Sequence, residues 1–529
     1  MAQLIHELVE QAAMRTPSAT ALRHAAARVS YSGLAAAAAA VGGALLQGGA
    51  EPNERIATCL PSCPEAVAAL LGASSAGCAF VPLDPSIAAA PDVARCIVQL
   101  RHSGARVLIT DARRLAALAS ALADCAALRT VIVLGGSAPR GLAQRCIAWD
   151  AWLAGAGKAA PRAALPALGA LFYQANPGGE PVASVLSQQN LVAGAASTAR
   201  CLGIGPGDRI LAALPPHLDY GLNALLATFA LGATAVLADE DDPQALAELL
   251  QRGEITGLTA APSTWEALAE VPLGRAADCL RYLASAGGSP ARTALDSLRR
   301  TLPRTRIHLM YDVGDACRST CLMPSQLEER PGSIGRPLPY ADWLVLRADG
   351  RECPPGEAGE LVQRGPLVTL GYWNDPQRSA SQFRTLPPLP GLAPRENGRW
   401  PGVSARKDMD GYLYLVESRS DTITTGGYRV SPREVEKIVV GTGLVAEAAA
   451  VGVAHPVLGQ VIAVLATARP GARLDSSILF GACRARLPQH MLPAMVDVRR
   501  TPLPRARDGQ IDRALLAGEL APLFAESAP

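Results

Sequence analysis

Segments typical of strands and of helices alternate through most of the chain, and this alternation limits its fold more than any other feature. It runs through residues 4–160 and again through 170–320. Such alternation predicts an α/β fold, with parallel sheets covered by helices on both faces. A helix is predicted over 32–46, and strands over 55–60, 78–83, 106–110, 130–134, 210–214, 234–238, 257–261, 282–285 and 306–311.

The pattern changes in the last third of the chain. Short strands with many Gly and Pro residues, such as 343–346 and 359–364, predict a small β-rich lobe over about 340–415. A compact α+β region follows, with helices predicted over 434–440, 478–487 and 510–519 and strands over 448–452 and 461–467. Because 529 residues exceed one ordinary domain, we expect a large domain over 1–419 and a small one over 420–529.

Charge and hydropathy exclude several classes of protein. The net charge is +2 with the two signs interspersed, so no nucleic acid or other acidic polymer is expected as a partner. The first ten residues predict an amphipathic helix with acidic side chains, not a signal peptide. The apolar run 66–83 is as long as a membrane span, but its Gly, Ser and Pro content favours a buried helix followed by a strand. We therefore expect a cytoplasmic protein without a membrane span.

The twelve cysteines form no Cys-x-x-Cys pair. In a chain of this size they are expected to be buried, reduced thiols. Cys59 and Cys63, and likewise Cys317 and Cys321, lie four residues apart, but no histidine is near them in the sequence. The core-thiol interpretation is therefore favoured over a metal site.

Residues 172–183 have the outline of a phosphate-binding loop. An apolar run leads into Asn176-Pro177-Gly178-Gly179, and a polar helix start follows at Ser187. Glycine-rich turns let backbone N–H groups point at an anion, and hydroxyls and a lysine usually complete the site. Here the glycines are present and the hydroxyls and lysine are absent. Taken alone, the segment also fits an ordinary turn.

The same segment aligns without a gap on Tyr-Thr-Ser-Gly-Thr-Thr-Gly-x-Pro-Lys-Gly followed by Ser-His-x-Asn-Leu. That pattern is a signature of the AMP-forming acyl-CoA synthetases and other adenylating enzymes. Residues 371–376 (Gly-Tyr-Trp-Asn-Asp-Pro) and 426–436 match further family segments. The chain therefore resembles this superfamily over nearly its whole length. Residues of the first segment that match are Tyr173, Gly179, Pro181, Ser187, Asn190 and Leu191.

Within the superfamily, segments 318–320, 330–335 and 427–432 most resemble the exosortase-associated acyl-CoA ligases, found near bacterial exopolysaccharide genes. The resemblance implies the adenylating-enzyme fold, with an AMP-binding-like domain over 1–419 and the family's C-terminal domain over 420–529. It also implies two half-reactions. A carboxylate attacks the α-phosphorus of ATP to give an acyl adenylate, and a thiol then takes the acyl group. The thiol belongs to CoA or to the phosphopantetheine of a carrier.

The resemblance implies a role for each matching position. Asp315 falls on the glutamate that holds Mg²⁺, and Gln510 on the catalytic lysine. His217 falls on a residue that lines the acyl pocket, although a capped histidine after two prolines fits equally well. Gly426, Gly427, Tyr428 and Arg429 fall on the loop that lines the thiol tunnel, or alternatively form a packed turn. The nucleotide-binding positions are Gly179, Pro181, Gly287, Gly288, Tyr311 and Arg419.

Several positions depart from the family pattern, and most of them have lost a charge or a hydroxyl. Val182 stands at the phosphate-loop lysine, Val403 at the ribose-binding aspartate, and Gln510 at the catalytic lysine. Losing one donor to a transition state typically costs about a hundredfold or more in rate. Pro177 also removes a backbone N–H from the loop.

Three functions follow as alternatives. The first is a ligase homologue with adenylation impaired or lost, which binds ATP or AMP, Mg²⁺, a small carboxylate or an acyl adenylate, and acts with an acyl carrier protein or an active paralogue. The second is a slow but genuine acyl-CoA or acyl-carrier ligase in which Gln510, Arg505, Arg507 or Arg513 compensates. The third is a non-catalytic interaction protein.

Overall fold

The computed structural model describes all of the chain except for several segments. The chain divides into two compact units. The first unit comprises Met1–Gln174, Pro181–Pro401 and Arg406–Tyr414, and the second comprises Ala175–Glu180, Gly402–Ala405 and Leu415–Pro529. The residues outside the description are 1, 88–89, 137–140, 156–167, 175–180, 239–242, 287–289, 291, 314–319, 389–395, 417–422, 426–427, 431, 456–458, 470, 488–490, 506–510 and 526–529.

A nine-stranded sheet is built mainly from strands in the middle of the chain. Its six central strands run parallel, and the strands at its two edges are antiparallel. Parallel strands buried on both faces are mostly apolar, as in Tyr282–Ser285, where every residue is buried. The order is Arg336–Pro337, Thr320–Leu322, Arg306–Tyr311, Tyr282–Ser285, Gly257–Ala260, Arg209–Ala212, Thr234–Leu237, Thr20–His24 and Ala27–Ser30.

An eight-stranded sheet is built mainly from the first part of the chain. Six of its strands are parallel, and two at one edge are antiparallel. The order is Gly371–Tyr372, Val182–Leu186, Ala170–Gln174, Ala79–Pro82, Arg55–Cys59, Val107–Asp111, Thr130–Leu134 and Arg145–Ala148.

Helices pack on these sheets through small and aliphatic residues. Tyr31–Gln47 lies against Pro64–Ser75 so closely that a Cβ on Gly72 would meet Val41 at 2.4 Å. The described helices of this part of the chain are Ile5–Arg15, Tyr31–Gln47, Pro64–Ser75, Ala90–Ser103, Ala112–Leu118, Trp149–Ala154, Gln188–Leu202, Asp219–Ala230, Pro243–Gln251, Pro262–Ala269, Ala276–Cys279 and Arg292–Thr301, with 3₁₀ turns at Ala119–Asp124 and Pro324–Gln326.

The predicted β-rich lobe is present as a third, six-stranded sheet. Its path is Phe383–Thr385, Asn397–Arg399, Ala358–Arg364, Ser404–Lys407 and Leu413–Val416, with Asp342–Leu346 paired to Ala358–Arg364. The helix Pro376–Gln382 precedes the first of these strands.

The second unit contains a mixed sheet with three helices. The long hairpin of Val445–His455 and Gly459–Ala468 forms its centre. The other strands are Ile423–Thr425, Tyr428–Val430 and Met495–Arg499, and the helices are Pro432–Val440, Ser476–Arg486 and Arg513–Ala525.

The predicted α/β class is confirmed, and several element bounds are corrected. The first helix begins at Ile5 and not at Met1, with Leu4 at its N-cap. The described part of the last helix begins at Arg513, because Ile511 pairs with Arg505 as an isolated bridge. The predicted domain boundary at residue 420 lies outside the described residues.

The apolar run 66–83 is a buried helix, Pro64–Ser75, followed by the strand Ala79–Pro82. In the described part of the chain, no helix combines the length and the apolar character needed to cross a bilayer.

Candidate functional site

The predicted site segments follow neighbouring parallel strands of the nine-stranded sheet in the sequence. Arg209–Ala212, Gly257–Ala260, Tyr282–Ser285 and Arg306–Tyr311 are adjacent and parallel. Their carboxyl ends therefore share an edge, which is where open α/β sheets bind ligands. The segments that carry His217, Gly287-Gly288 and Asp315 follow three of these strands in the sequence.

Direct contacts hold this edge together. Ser285 is fully buried, and its Oγ accepts a hydrogen bond of 3.1 Å from the backbone N–H of Met310. The next residue, Ala286, packs with Leu214 and Tyr220. The half-buried Tyr311 is the last residue of its strand. These contacts fix Ser285 and Ala286, which directly precede the predicted nucleotide-binding positions Gly287 and Gly288 in the sequence.

His217 lies beside a carboxylate that follows a strand of the other large sheet. Its Nε2 is 3.8 Å from Oδ1 of Asp84, two residues after the strand Ala79–Pro82. Asp84 Oδ2 pairs with Arg95 Nη2 at 3.1 Å, and Asp84 Oδ1 accepts from the N–H of Ser86. The sequence analysis did not predict Asp84 or Arg95. Only the observation that Asp84 ends a predicted strand could have pointed to it.

The loop that carries His217 rests directly on the helix Asp219–Ala230. A Cβ on Gly221 would lie 2.2 Å from the carbonyl oxygen of Pro215. The same oxygen accepts from the N–H of Leu218 at 3.0 Å. Because only glycine allows this approach, Gly221 helps to set the position of His217.

A very small, mostly apolar pocket lies along the same helix. Oδ1 of Asn223 is buried and has no hydrogen-bond partner among the described residues. Asn223 and Asp219 are the two polar residues of the lining. The lining residues are Phe172, Leu191, Asp219, Leu222, Asn223 and Leu226.

Residues that match the phosphate-loop signature serve the framework in the structure. The hydroxyl of Tyr173 donates to the carbonyl oxygen of Gln99 at 3.0 Å and lies 3.0 Å from Nδ1 of His102. Burial raises the pKa of Tyr173 and lowers the pKa of His102. Ser187 and Asn190 cap the next helix reciprocally, each accepting from the backbone N–H of the other.

Val182 begins a strand that was not predicted. Val182–Leu186 pairs antiparallel with Ala170–Gln174, and Val182 itself lies opposite Gln174. The valine side chain is 5% exposed. At the position of the family lysine, the protein thus buries an aliphatic side chain.

Arg399 is a buried cation that the sequence analysis missed. Its side chain is 1% exposed, and Nη1 donates to the carbonyl oxygen of Val313 at 3.2 Å. Val313 lies two residues before Asp315 in the sequence. The available signal was weak, since a single arginine in a Gly-rich segment is usually exposed.

In the second unit, the predicted thiol-tunnel segment is a hairpin. Ile423–Thr425 pairs with Tyr428–Val430, with Thr425 opposite Tyr428, so two residues connect the strands. The backbone of Tyr428 and Arg429 is thus placed in a regular ladder.

Two of the arginines considered as substitutes for the lysine at 510 already have carboxylate partners. Nη2 of Arg505 is 2.8 Å from Oε2 of Glu447. Nη2 of Arg513 bonds both oxygens of Glu436, at 2.8 and 2.7 Å. Moving either arginine would break an existing ion pair.

Three predicted site residues, Pro181, His217 and Tyr311, are described with their side chains, and Tyr428 and Arg429 with their backbone. The others lie outside the described residues, so their predicted roles stay predictions. They are Gly179, Gly287, Gly288, Asp315, Arg419, Gly426, Gly427 and Gln510.

The cysteine prediction needs one correction. None of the eleven described cysteines is in a disulfide, and eight of them are buried. Cys321, however, does lie beside a histidine, because His308 on the neighbouring strand brings Nδ1 to 3.8 Å from its Sγ. Sequence spacing could not show this contact, which joins two strands.

Matches to known protein families show the class of protein that this fold and site define. Residues 9–373 match the family of AMP-binding enzymes, and residues 434–510 match the AMP-binding enzyme C-terminal domain. The chain belongs to the AMP-binding enzyme family, which includes acyl-CoA ligases.

Curated relatives extend over almost the full chain. A feruloyl-CoA synthase of Amycolatopsis sp is 28% identical, with 97% of each chain covered. An indoleacetate–CoA ligase of Aromatoleum aromaticum is 27% identical, with 96% of each chain covered.

Solved structures show the same fold. ATP-bound MatB from Rhodopseudomonas palustris superposes with a TM-score of 0.82 at 21% identity, covering 99% of this chain and 100% of MatB. The O-succinylbenzoate coenzyme A synthetase MenE from Bacillus subtilis, in complex with AMP, gives 0.77 at 24% identity, covering 96% and 97%.

Proposed function

We propose that the protein is an AMP-forming acyl-CoA or acyl-carrier ligase homologue in which ATP-dependent activation of the carboxylate is impaired or lost. The observation that carries this proposal is the buried Val182 at the phosphate-loop lysine. Phosphoryl chemistry of this kind depends on positioned cations that neutralise developing charge. A valine can supply neither a charge nor a hydrogen bond.

The chain offers few replacement lysines. It contains three lysines, Lys158, Lys407 and Lys437, and none falls on a family lysine position. Lys407 is paired with Glu352 at 2.8 Å. Arg505 and Arg513 are also held by carboxylates, so using either one to neutralise a triphosphate would break an ion pair.

Other described residues do fit the remaining parts of the ligand. The sheet edge at Ser285 and Tyr311 suits an adenine nucleotide, and His217 precedes by two residues Asp219, which lines the small pocket. We therefore propose retained binding of AMP or an acyl adenylate, with an acyl carrier protein or an active paralogue as partner. The resemblance of segments 318–320, 330–335 and 427–432 to the exosortase-associated branch supports a partner that is encoded near exopolysaccharide genes. Because two relatives are named for feruloyl and indoleacetate substrates, aromatic carboxylates are the first acids to test.

The test is carboxylate-dependent ATP–pyrophosphate exchange by the full chain, over an acid panel that begins with aromatic carboxylates. We expect little or no exchange. The double variant Val182→Lys/Gln510→Lys should raise the exchange rate, whereas Val182→Met/Gln510→Met, of similar side-chain length and uncharged, should not. Robust exchange by the unaltered chain would overturn the proposal.

A slow but genuine ligase is the second candidate, and the buried Arg399 favours it. Its guanidinium donates to the carbonyl oxygen of Val313, two residues before Asp315 in the sequence, so a buried cation is attached to the segment that leads to the predicted Mg²⁺ ligand. This candidate predicts acyl-adenylate formation that is lost in Asp315→Ala. If the protein instead only mediates interactions, AMP should produce no saturable rise in its melting temperature, since binding to the native state alone would raise it.

A further inference from the structure

Three residues that the proposed function does not use come together beside the nine-stranded sheet. Cys201 lies in the last turn of the helix Gln188–Leu202, His308 in the strand Arg306–Tyr311, and Cys321 in the strand Thr320–Leu322. One atom from each, two sulfurs and a ring nitrogen, lie within 4.8 Å of one another. Three separate elements thus converge on one point.

His308 is not an ordinary core histidine. The side chain is 1% exposed, and its Nδ1 faces the sulfur of Cys321 at 3.8 Å. Its Nε2 is buried and has no hydrogen-bond partner among the described residues. Buried imidazole nitrogens are nearly always hydrogen-bonded, so this ring lacks what usually justifies its burial.

The cluster is embedded among apolar side chains. The neighbours belong to an apolar cluster that includes Met310 and Leu338, and Tyr282 packs edge-on against the imidazole with ring centroids 6.4 Å apart. Cys201 is half-buried, whereas His308 and Cys321 are buried, so Cys201 is the most exposed member of the cluster.

We propose that Cys201, His308 and Cys321 form a binding site for a thiophilic d¹⁰ cation, with Zn²⁺ as its probe. Ligand atoms around tetrahedral zinc lie about 3.3–3.8 Å apart, and the His308–Cys321 pair already has that spacing. Binding replaces the two thiol protons, which leave to the buffer, so that the site becomes neutral overall. Water takes the fourth position on the side of Cys201.

The ligand set distinguishes this site from the Mg²⁺ position predicted at Asp315. Mg²⁺ prefers oxygen ligands, whereas two sulfurs and an imidazole select zinc or copper(I). A bound cation would tie together the antiparallel strands in which Met310 pairs with Cys321. Those strands flank residues 314–319, so the metal would hold the two ends of that segment.

Zinc affinity of the full chain, freed of metal, tests the proposal by competition with a chromophoric chelator. We expect one tight equivalent for the unaltered protein and at least a tenfold loss of affinity in Cys201→Ser and in Cys321→Ser. Cys483→Ser is the matched control, because Cys483 is a buried cysteine of the second unit and its loss should change nothing. Co²⁺ should give a thiolate-to-metal absorption band that disappears in Cys201→Ser.

Cys201→Ser keeps the test decisive if Cys321→Ser fails to fold, since Cys201 is only half-buried. Zn²⁺ should also raise the melting temperature of the unaltered protein but not that of Cys201→Ser. The proposal is overturned if the variants bind zinc as the unaltered protein does. It is equally overturned if a mild oxidant links Cys201 to Cys321 while neither Zn²⁺ nor Co²⁺ is taken up.

Discussion

Arg399 donates a hydrogen bond from Nη1 to the carbonyl oxygen of Val313, across 3.2 Å. Both residues are buried. A guanidinium is always charged and is almost never buried without strong partners. The bond connects the strand Asn397–Arg399 of the β-rich lobe to the segment that leads from Tyr311 to Asp315. The bond thereby links the β-rich lobe to the edge of the sheet where nucleotide binding is predicted.

Replacing Arg399 by Met should weaken AMP binding more than it weakens the fold. The lost bond to a charged donor is worth about 1.5–3 kcal/mol, but removal of a buried charge offsets part of that cost. We expect a melting temperature close to that of the unaltered protein and an AMP affinity lower by about tenfold. Calorimetry and thermal unfolding measure the two quantities.

Arg384→Met is the control for this variant. Arg384 lies on the adjacent strand Phe383–Thr385, where it stacks on Trp400 and is largely exposed. The variant Arg384→Met should leave the AMP affinity unchanged. An unaltered AMP affinity in Arg399→Met would show that Arg399 serves the lobe alone.

Val403→Asp should strengthen nucleotide binding by restoring the acceptor for the ribose hydroxyls. A hydrogen bond to a charged group contributes about 1.5–3 kcal/mol, or roughly ten- to a hundredfold in affinity. Val403→Asn, of the same size without the charge, should gain less. A nucleotide that lacks both ribose hydroxyls should show no gain, and an equal gain with it would refute the assignment of Val403.

The regular elements could be predicted from the sequence because buried parallel strands leave a strong apolar pattern. Thr130–Leu134 and Tyr282–Ser285 have the predicted bounds. Val182–Leu186 was not predicted although all five of its residues are buried, because the Gly-rich turn before it and the polar helix start after it leave only a short apolar segment between them.

Contacts between distant segments could not be predicted in the same way. Asp84 and His217 follow strands of different sheets, and nothing in either local sequence indicates the other. Arg399 was missed because charged side chains are expected at the surface. Cys201, His308 and Cys321 lie on three separate elements. The sequence spacing of Cys317 and Cys321 therefore could not indicate this cluster.

Gly335→Ala should destabilise the protein strongly, and Gly332→Ala should do so only mildly. Both glycines have positive φ, at 89° and 83°, so each substitution costs about 1–2 kcal/mol in backbone strain. A Cβ at 335 would also lie 2.1 Å from the carbonyl group of Cys321, whereas none at 332 meets an atom within 4 Å. Thermal unfolding should therefore separate the pair by several degrees. Equal melting temperatures would contradict the close approach.

Gly221→Ala should displace the loop that carries His217. Glycine to alanine inside a helix normally stabilises by about 0.5–1 kcal/mol. Gly518, an exposed residue of the helix Arg513–Ala525 with open space around it, should show that gain. At Gly221 the clash with the Pro215 carbonyl should reverse the sign, so Gly221→Ala melts lower and Gly518→Ala slightly higher. A higher melting temperature for Gly221→Ala would show that the loop yields without cost.

Acid should destabilise the first unit partly through His6. Burial lowers the pKa of His6, an effect that nearby Glu7 only partly offsets. The imidazole Nδ1 lies 2.9 Å from Oγ of Ser74, which also bonds to Gln188. Since the folded protein resists protonation of this histidine, the unfolded state binds more protons as the pH falls below about 6.5. The contribution of neutral His6 to the free energy of unfolding is therefore fully present above that pH and is lost progressively below it.

Melting temperatures of the unaltered protein and of His6→Gln, measured from about pH 7.5 to about pH 5.5, test this window. The acid-induced decrease should be smaller in His6→Gln, because glutamine does not titrate and can keep a hydrogen bond to Ser74. His24→Gln, at an exposed position, should retain the full decrease. If His6→Gln and the unaltered protein lose stability in parallel, the acid sensitivity arises from other groups and His6 is protonated in the fold without penalty.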